Sequence, residues 1–338
     1  MILTMRMTIG RLFGVVFVII LIRMMYAYSQ VGAQLMSGDS DNQMRLVVVR
    51  DWLAGQSWFD TQQYRLLPPD GVSMHWSRYV DAGIAAVLVP LSWVVSAAQA
   101  ETVMLVLWPS LLLMALLGVF GLGMNRLGGL AMAAGAIGAA FIWERLGGGE
   151  FKPGRIDHHN VQLLCSSVVA MASVLQVRRM GLLGVAAGVS AAMALAVGLE
   201  MLPFLLLVWG IAALRMAFGV DGAARWLFGF AVAIGVAAPV LMAGQTPIGE
   251  WGVLYCDELA PPVLLLIGIG VAVSLMALAL RRLTPQPVVL VLGLLVLAAL
   301  GLWLASPVLG PCLSGPYGVM TDDARAIIID RVIEAQPV

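Results

Sequence analysis

Ala82-Gly83-Ile84-Ala85-Ala86-Val87-Leu88-Val89-Pro90-Leu91-Ser92-Trp93-Val94-Val95-Ser96-Ala97-Ala98 is apolar enough to enter a bilayer, and whether it crosses decides the topology of the whole chain. Nine other runs, 12–29, 103–123, 128–145, 161–177, 181–198, 201–214, 226–243, 261–279 and 287–306, approach the roughly 20 apolar residues that span a hydrocarbon core. If 82–98 does not cross, Arg6, Arg11, Arg126, Arg178-Arg179, Arg215, Arg225 and Arg281-Arg282 all share the N-terminal face. That is the cytoplasmic face, where basic residues of short loops collect. If it crosses, every later arginine cluster changes sides. The arginines therefore predict nine crossings, with 82–98 as an interfacial or re-entrant segment.

Composition points the same way. The 338 residues are 61% hydrophobic and 11% charged, where a soluble domain carries about 25% charge; mean hydropathy is +0.95. The expected fold is all-α, a polytopic membrane bundle over 1–306 with outer loops at 30–102, 146–160 and 244–260, followed by an outer segment at 307–338. Arg6 and Arg11 precede the first span with no small-x-small cleavage site before Ser29, so an uncleaved signal anchor is expected. A formal net charge of zero gives no argument for a nucleic-acid partner.

This topology places all three histidines and Lys152, the only lysine, on the outer, periplasmic side. A transporter would carry ionisable groups near the midplane. Here Arg23 is expected to snorkel outward from its span, and Glu200 to be an exposed acid in a short outer turn, with a place in a site wall as the alternative. Cys256 and Cys312 both fall outside, where a disulfide is permitted, whereas Cys165 packs within a span.

The first outer loop opens Gly38-Asp39-Ser40-Asp41-Asn42-Gln43-Met44-Arg45. Asp39 and Asp41 could share a divalent cation; the plain alternative is a polar turn with Asp41 as a helix N-cap. Farther along, Trp58-Phe59-Asp60 and Met74-His75-Trp76-Ser77-Arg78-Tyr79 read either as an interfacial belt or as a carbohydrate or lipid-phosphate site. The second outer loop, Phe151-Lys152-Pro153-Gly154-Arg155-Ile156-Asp157-His158-His159-Asn160, follows Gly147-Gly148-Gly149, and these breakers force irregular backbone at the membrane edge. Asp157 with His158 or His159 is a candidate metal pair, and Lys152 with Arg155 suits phosphate oxygens. Near the end stands Val332-Ile333-Glu334-Ala335-Gln336-Pro337.

These segments, in this order, resemble the catalytic subunit of oligosaccharyltransferase and its bacterial single-subunit relatives, among the GT-C membrane glycosyltransferases. The matching residues are Asp39 six before Arg45, Trp58-Phe59-Asp60, Gly154 with Asp157, and Val332, Glu334, Gln336 and Pro337; His159 stands where the family has an acid. The resemblance implies transfer of a sugar or oligosaccharide from a polyprenyl (pyro)phosphate donor, on the periplasmic side of a bacterial inner membrane, to a protein, lipid or polysaccharide acceptor. It implies Mn²⁺ or Mg²⁺ held by Asp39 and Asp157, with Glu334 completing the set or orienting the acceptor, and His159 offering nitrogen beside them. Catalysis would fall to Asp39, Asp157 and Glu334, donor phosphate to Lys152, Arg155 and His158, and substrate contacts to Asp41, Arg45, His75, Trp76 and Arg78. The family's remaining spans and its Trp-Trp-Asp motif are not in this sequence, which leaves three readings open: the sequence is a fragment, a further chain supplies the missing helices, or the acceptor is something other than an Asn sequon. A different class, a permease or flippase subunit whose outer loops only recognise lipid-linked cargo, would lack divalent-dependent transfer.

Overall fold

The computed structural model describes residues 8–32, 40–66, 68–284 and 286–315. In chain order these form α1 (Ile9–Tyr28), α2 (Ser40–Leu53), a two-residue hairpin of β1 (Gln62–Gln63) and β2 (Val72–Ser73), α3 (Arg78–Ser92) and α4 (Ala97–Trp143). A π-helical turn (Glu144–Gly148) then leads to α5 (His159–Val174), α6 (Met180–Val197), α7 (Leu202–Ala217), α8 (Ala223–Gln245), α9 (Pro261–Leu280) and α10 (Pro287–Leu309). The architecture is an all-α bundle. Among the described residues six helical stretches are long and apolar enough to cross a membrane, and α5 and α7 are shorter apolar helices.

Residues 82–98 do not form one element. α3 ends with Trp93 as its C-cap, and α4 starts afresh behind Ser96, whose side chain and that of Gln99 cap each other's backbone. At 15 residues, α3 is about 22 Å long, short of a hydrocarbon core of about 30 Å. It lies against α4 so closely that a Cβ on Gly83 would stand 2.4 Å from the Trp108 ring.

α4 is two helices in sequence. Gly128 and Gly129 leave helical geometry, and the φ of +75° at Gly129 is a conformation that favours glycine. Beyond the break the chain folds back: Phe13 and Ile137 both pack onto Gly121, with Ile137 Cδ1 3.0 Å from where a Cβ would be. In a straight helix, residues 121 and 137 would be about 24 Å apart.

α6 is the most enclosed of the long helices and α1 the least. Its glycines let α8 approach at backbone distance: a Cβ would stand 2.1 Å from the Trp226 carbonyl oxygen at Gly184 and 2.5 Å from that of Phe230 at Gly188. Where lipid offers no hydrophobic drive between helices, such small-residue contacts hold them by close packing. Trp209 Nε1 donates to Ser274 Oγ and Trp226 Nε1 to the Ala172 carbonyl, each at 2.8 Å, so both buried indoles are satisfied. Cys256 and Cys312 form a disulfide, and Cys165 is free.

Candidate metal centre

The loop between the π-turn and α5 is pinned from several sides before any functional group is considered. Pro109 in α4 has no N–H to offer the Leu105 carbonyl four residues back, and Gly154 N–H donates to that carbonyl at 2.8 Å instead. The buried Glu144 carboxylate accepts from Phe151 N–H at 3.1 Å, while Arg23 Nη2 donates to the Phe151 carbonyl at 2.5 Å. Arg23 also lies 3.4 Å from Glu144. It therefore does not simply snorkel outward as expected: a buried acid and a loop carbonyl hold it.

From the first loop, the buried Asn42 of α2 accepts from both Ile156 N–H (2.8 Å) and Asp157 N–H (3.1 Å). This places α2 directly against the Asp157 backbone, across 115 residues of sequence.

Asp157 is buried, and its two oxygens are both engaged. Oδ1 lies 2.6 Å from His158 Nδ1 and Oδ2 2.5 Å from His159 Nδ1; the two rings stack at 4.2 Å and 27°. His158 Nε2 is 3.1 Å from Glu200 Oε1, and Gln162 Nε2 donates to Glu200 Oε2 at 2.5 Å. Burial alone would raise the Asp157 carboxyl, but hydrogen bonds from the two imidazoles outweigh it and hold it well below the carboxylate range. Burial alone would lower His158, yet hydrogen bonds to Asp157 and Glu200 push it up to about 9. His159 is raised by its hydrogen bond to Asp157. Glu200, which burial would raise, is brought down to about 2 chiefly by His158.

The sign of one consequence is definite. His158 binds its proton more tightly folded than unfolded, so its contribution is complete below about pH 6.5 and is lost as pH rises through about 9. In EDTA, the thermal midpoint of the wild type is expected to fall over that interval. His158→Gln should flatten that alkaline limb, and an unchanged limb would place the titration elsewhere.

One oxygen from Asp157 and one nitrogen from each histidine lie within 4.8 Å of one another, close enough to share a cation. A carboxylate with two imidazoles fits a divalent transition metal, and the nitrogens favour Mn²⁺ over Mg²⁺, which prefers oxygen and water.

The other expected site residues are distributed differently. Asp39 and Glu334 lie outside the described residues. Asp41 sits in the first turn of α2, which begins one residue earlier at Ser40 rather than being capped by Asp41. Arg45 and Arg78, expected on substrate, are buried at 0% and 1% exposure by Asp81, which takes Arg45 Nη1 at 3.0 Å on one oxygen and Arg78 Nη1 at 3.1 Å on the other. Arg45 also packs 4.5 Å from the Trp76 ring centroid, with Nη2 3.7 Å from Asp157 Oδ1, and Arg78 bonds the carbonyls of Trp58 and Asp60. Both guanidiniums are closed off from water and tie α2 and α3 together through Asp81. His75 is exposed and lies 3.9 Å from Asp257. Of the residues assigned to donor phosphate, Arg155 pairs with Glu150 at 2.7 Å and His158 is taken up between two carboxylates, which leaves exposed Lys152.

Comparison of the chain with protein families, with curated proteins and with solved structures finds no match. Sequence reading did not single out Asn42, Asp81 and Gln162, and set Glu200 down first as an exposed acid. Arg78-x-x-Asp81 at helical spacing, and an acid in the short turn between two apolar runs, were the available signals.

Proposed function

We propose that this chain is a GT-C-type membrane glycosyltransferase, divalent-metal dependent, that takes a sugar or oligosaccharide from a polyprenyl (pyro)phosphate donor. In this reading the chain crosses the bacterial inner membrane nine times, with α3 on the periplasmic side and the Asp157 loop at that surface. The observation that carries the reading is the meeting of the first loop with the second: Asn42 caps the backbone of Ile156 and Asp157, and Asn42 is three residues on from Asp39. α2 of the first loop thus meets the second loop beside a carboxylate–imidazole cluster. The Cys256–Cys312 bond fits an oxidising compartment on the same side.

Asp157, His158 and His159 would hold the ion, with Asp39 and Glu334 as further ligands. The ion would supply a Lewis acid that neutralises charge on the departing phosphate. The C1–oxygen bond to the lipid (pyro)phosphate breaks, the acceptor nucleophile bonds to C1, and its proton passes to a base. Arg45 and Asp81 keep the Asp157 carboxylate in register. Lys152, exposed at the loop edge, is the remaining cation for donor phosphate.

The test is release of labelled sugar from a polyprenyl-linked donor by the full chain in nanodiscs with Mn²⁺. Asp157→Asn and His159→Gln are each expected to reduce transfer at least about 100-fold, since loss even of residues behind metal ligands costs about 10–100-fold. Transfer that persists in both variants, or that EDTA leaves untouched, removes the proposal.

A further inference from the structure

We propose that Glu200, steadied by Gln162, is a positioning residue of the metal centre, anchoring the His158 ring through Nε2–H so that its Nδ1 faces Asp157. The inference rests on the reading of Asp157 as a metal ligand and adds a residue from another part of the fold.

Glu200 comes from the short turn between α6 and α7, and Gln162 from the first turns of α5. Gln162 is fully buried, and its amide donates to Glu200 Oε2 at 2.5 Å, which orients the carboxylate so that Oε1 meets His158 Nε2 at 3.1 Å. An ionised carboxylate only accepts, so each ring nitrogen of His158, Nε2 facing Glu200 and Nδ1 facing Asp157, carries a proton in the metal-free protein. A histidine's tautomer follows from the partner of its other nitrogen. The remaining nitrogen, Nδ1, points at Asp157 Oδ1 from 2.6 Å.

His158 and His159 are adjacent, and in regular helix their rings would diverge. Here they stack, and both present Nδ1 to the same carboxylate. Glu200 supplies the constraint on the first ring. Three groups close over Gly198, where a Cβ would stand 2.5 Å from Glu200 Oε2, 2.9 Å from Gln162 Nε2 and 3.0 Å from His158 Cδ2. A carboxylate behind a ligating imidazole fixes ring orientation and strengthens the ligand. A cation held there would take the place of the proton between His158 Nδ1 and Asp157, while Glu200 would keep the Nε2 proton and with it the Nε2–H form of the ring.

Binding of Mn²⁺ to the purified full chain, read from the electron paramagnetic resonance of the free aqueous ion, tests this without any sugar donor. Glu200→Ala is expected to weaken Mn²⁺ affinity about 10–100-fold, and Glu200→Gln, whose amide oxygen still accepts from Nε2–H, to recover most of the loss. If Glu200→Ala does not fold, Gly198→Ala, which displaces Glu200 and Gln162 without removing a charge, is expected to show the same loss. Wild-type affinity in Glu200→Ala, or equal loss in the alanine and glutamine variants, overturns the role of Glu200 while leaving the metal site standing if Asp157→Asn no longer binds Mn²⁺. Undiminished binding in Asp157→Asn, or no binding by the wild type, overturns the metal site and this inference together.

Discussion

Asp81→Ala is expected to destabilise the protein by about 3–5 kcal/mol, the cost of leaving buried charge without its partner. Asp81 has no exposure, and each of its oxygens serves one arginine, Arg45 or Arg78, that is itself closed off from water. Removing it strands two guanidiniums at once. Among the described residues Arg45 Nε and Nη2 make no hydrogen bond, so Asp81, the Ser77 carbonyl, the Trp76 ring and, at longer range, Asp157 are its support. Against a total stability of about 5–15 kcal/mol, the change should be plain in thermal unfolding followed by tryptophan fluorescence in detergent. Adding Arg78→Met to Asp81→Ala removes one stranded charge, and the double variant should lose less than the sum of the singles. Strict additivity, or an Asp81→Ala protein that melts with the wild type, would mean that water or an anion reaches the arginines.

Gly184→Val should be comparably damaging for a different reason. At Gly184 the obstacle is backbone, the Trp226 carbonyl oxygen 2.1 Å from a new Cβ, with Phe230 N at 3.0 Å. Backbone cannot swing aside as a side chain can, so α6 and α8 must separate. Overpacking costs about 1–3 kcal/mol and occasionally more, and β-branched valine belongs at the upper end. Gly210, inside α7 with nothing within 4 Å of its Cβ position, is the control. Gly210→Ala should be neutral or stabilising by up to about 1 kcal/mol. If the two substitutions move the melting midpoint alike, the close approach of α6 and α8 is not what holds the centre of the bundle.

The helices were legible because bilayer-spanning segments announce themselves in one dimension: the runs at 226–243, 261–279 and 287–306 lie inside α8, α9 and α10. The break within residues 82–98 was not legible. Hydropathy sees one apolar run there, whereas the chain places a turn at Trp93–Val95 because Ser96 and Gln99 cap a new helix, a signal of two polar residues in an apolar stretch. In the candidate site, the part within one loop could be read: Asp157, His158 and His159 are neighbours in sequence and in space. The distant contributors could not. Asn42 reads as an ordinary helix residue until its side chain is seen on the Asp157 backbone, and Arg45 and Arg78 look like substrate ligands because nothing in the sequence shows that Asp81 consumes them. Glu200 is half-exposed as expected, with a side chain 49% open, yet both of its oxygens are bonded. Exposure and employment are separate properties, and only the first follows from a position in a turn.

The disulfide has a topological consequence. Cys256 precedes α9 and Cys312 follows α10, so the bond closes a covalent ring, 56 residues in separation, around a whole helical hairpin. Both ends of that ring lie on one side of the bundle. The hairpin can therefore tilt, slide or lose its grip on α7 and α8 only as one body, because neither of its helices can part from the other at that end. A protein whose peripheral helices are mostly lipid-facing thereby gains a hoop around two of its less enclosed helices.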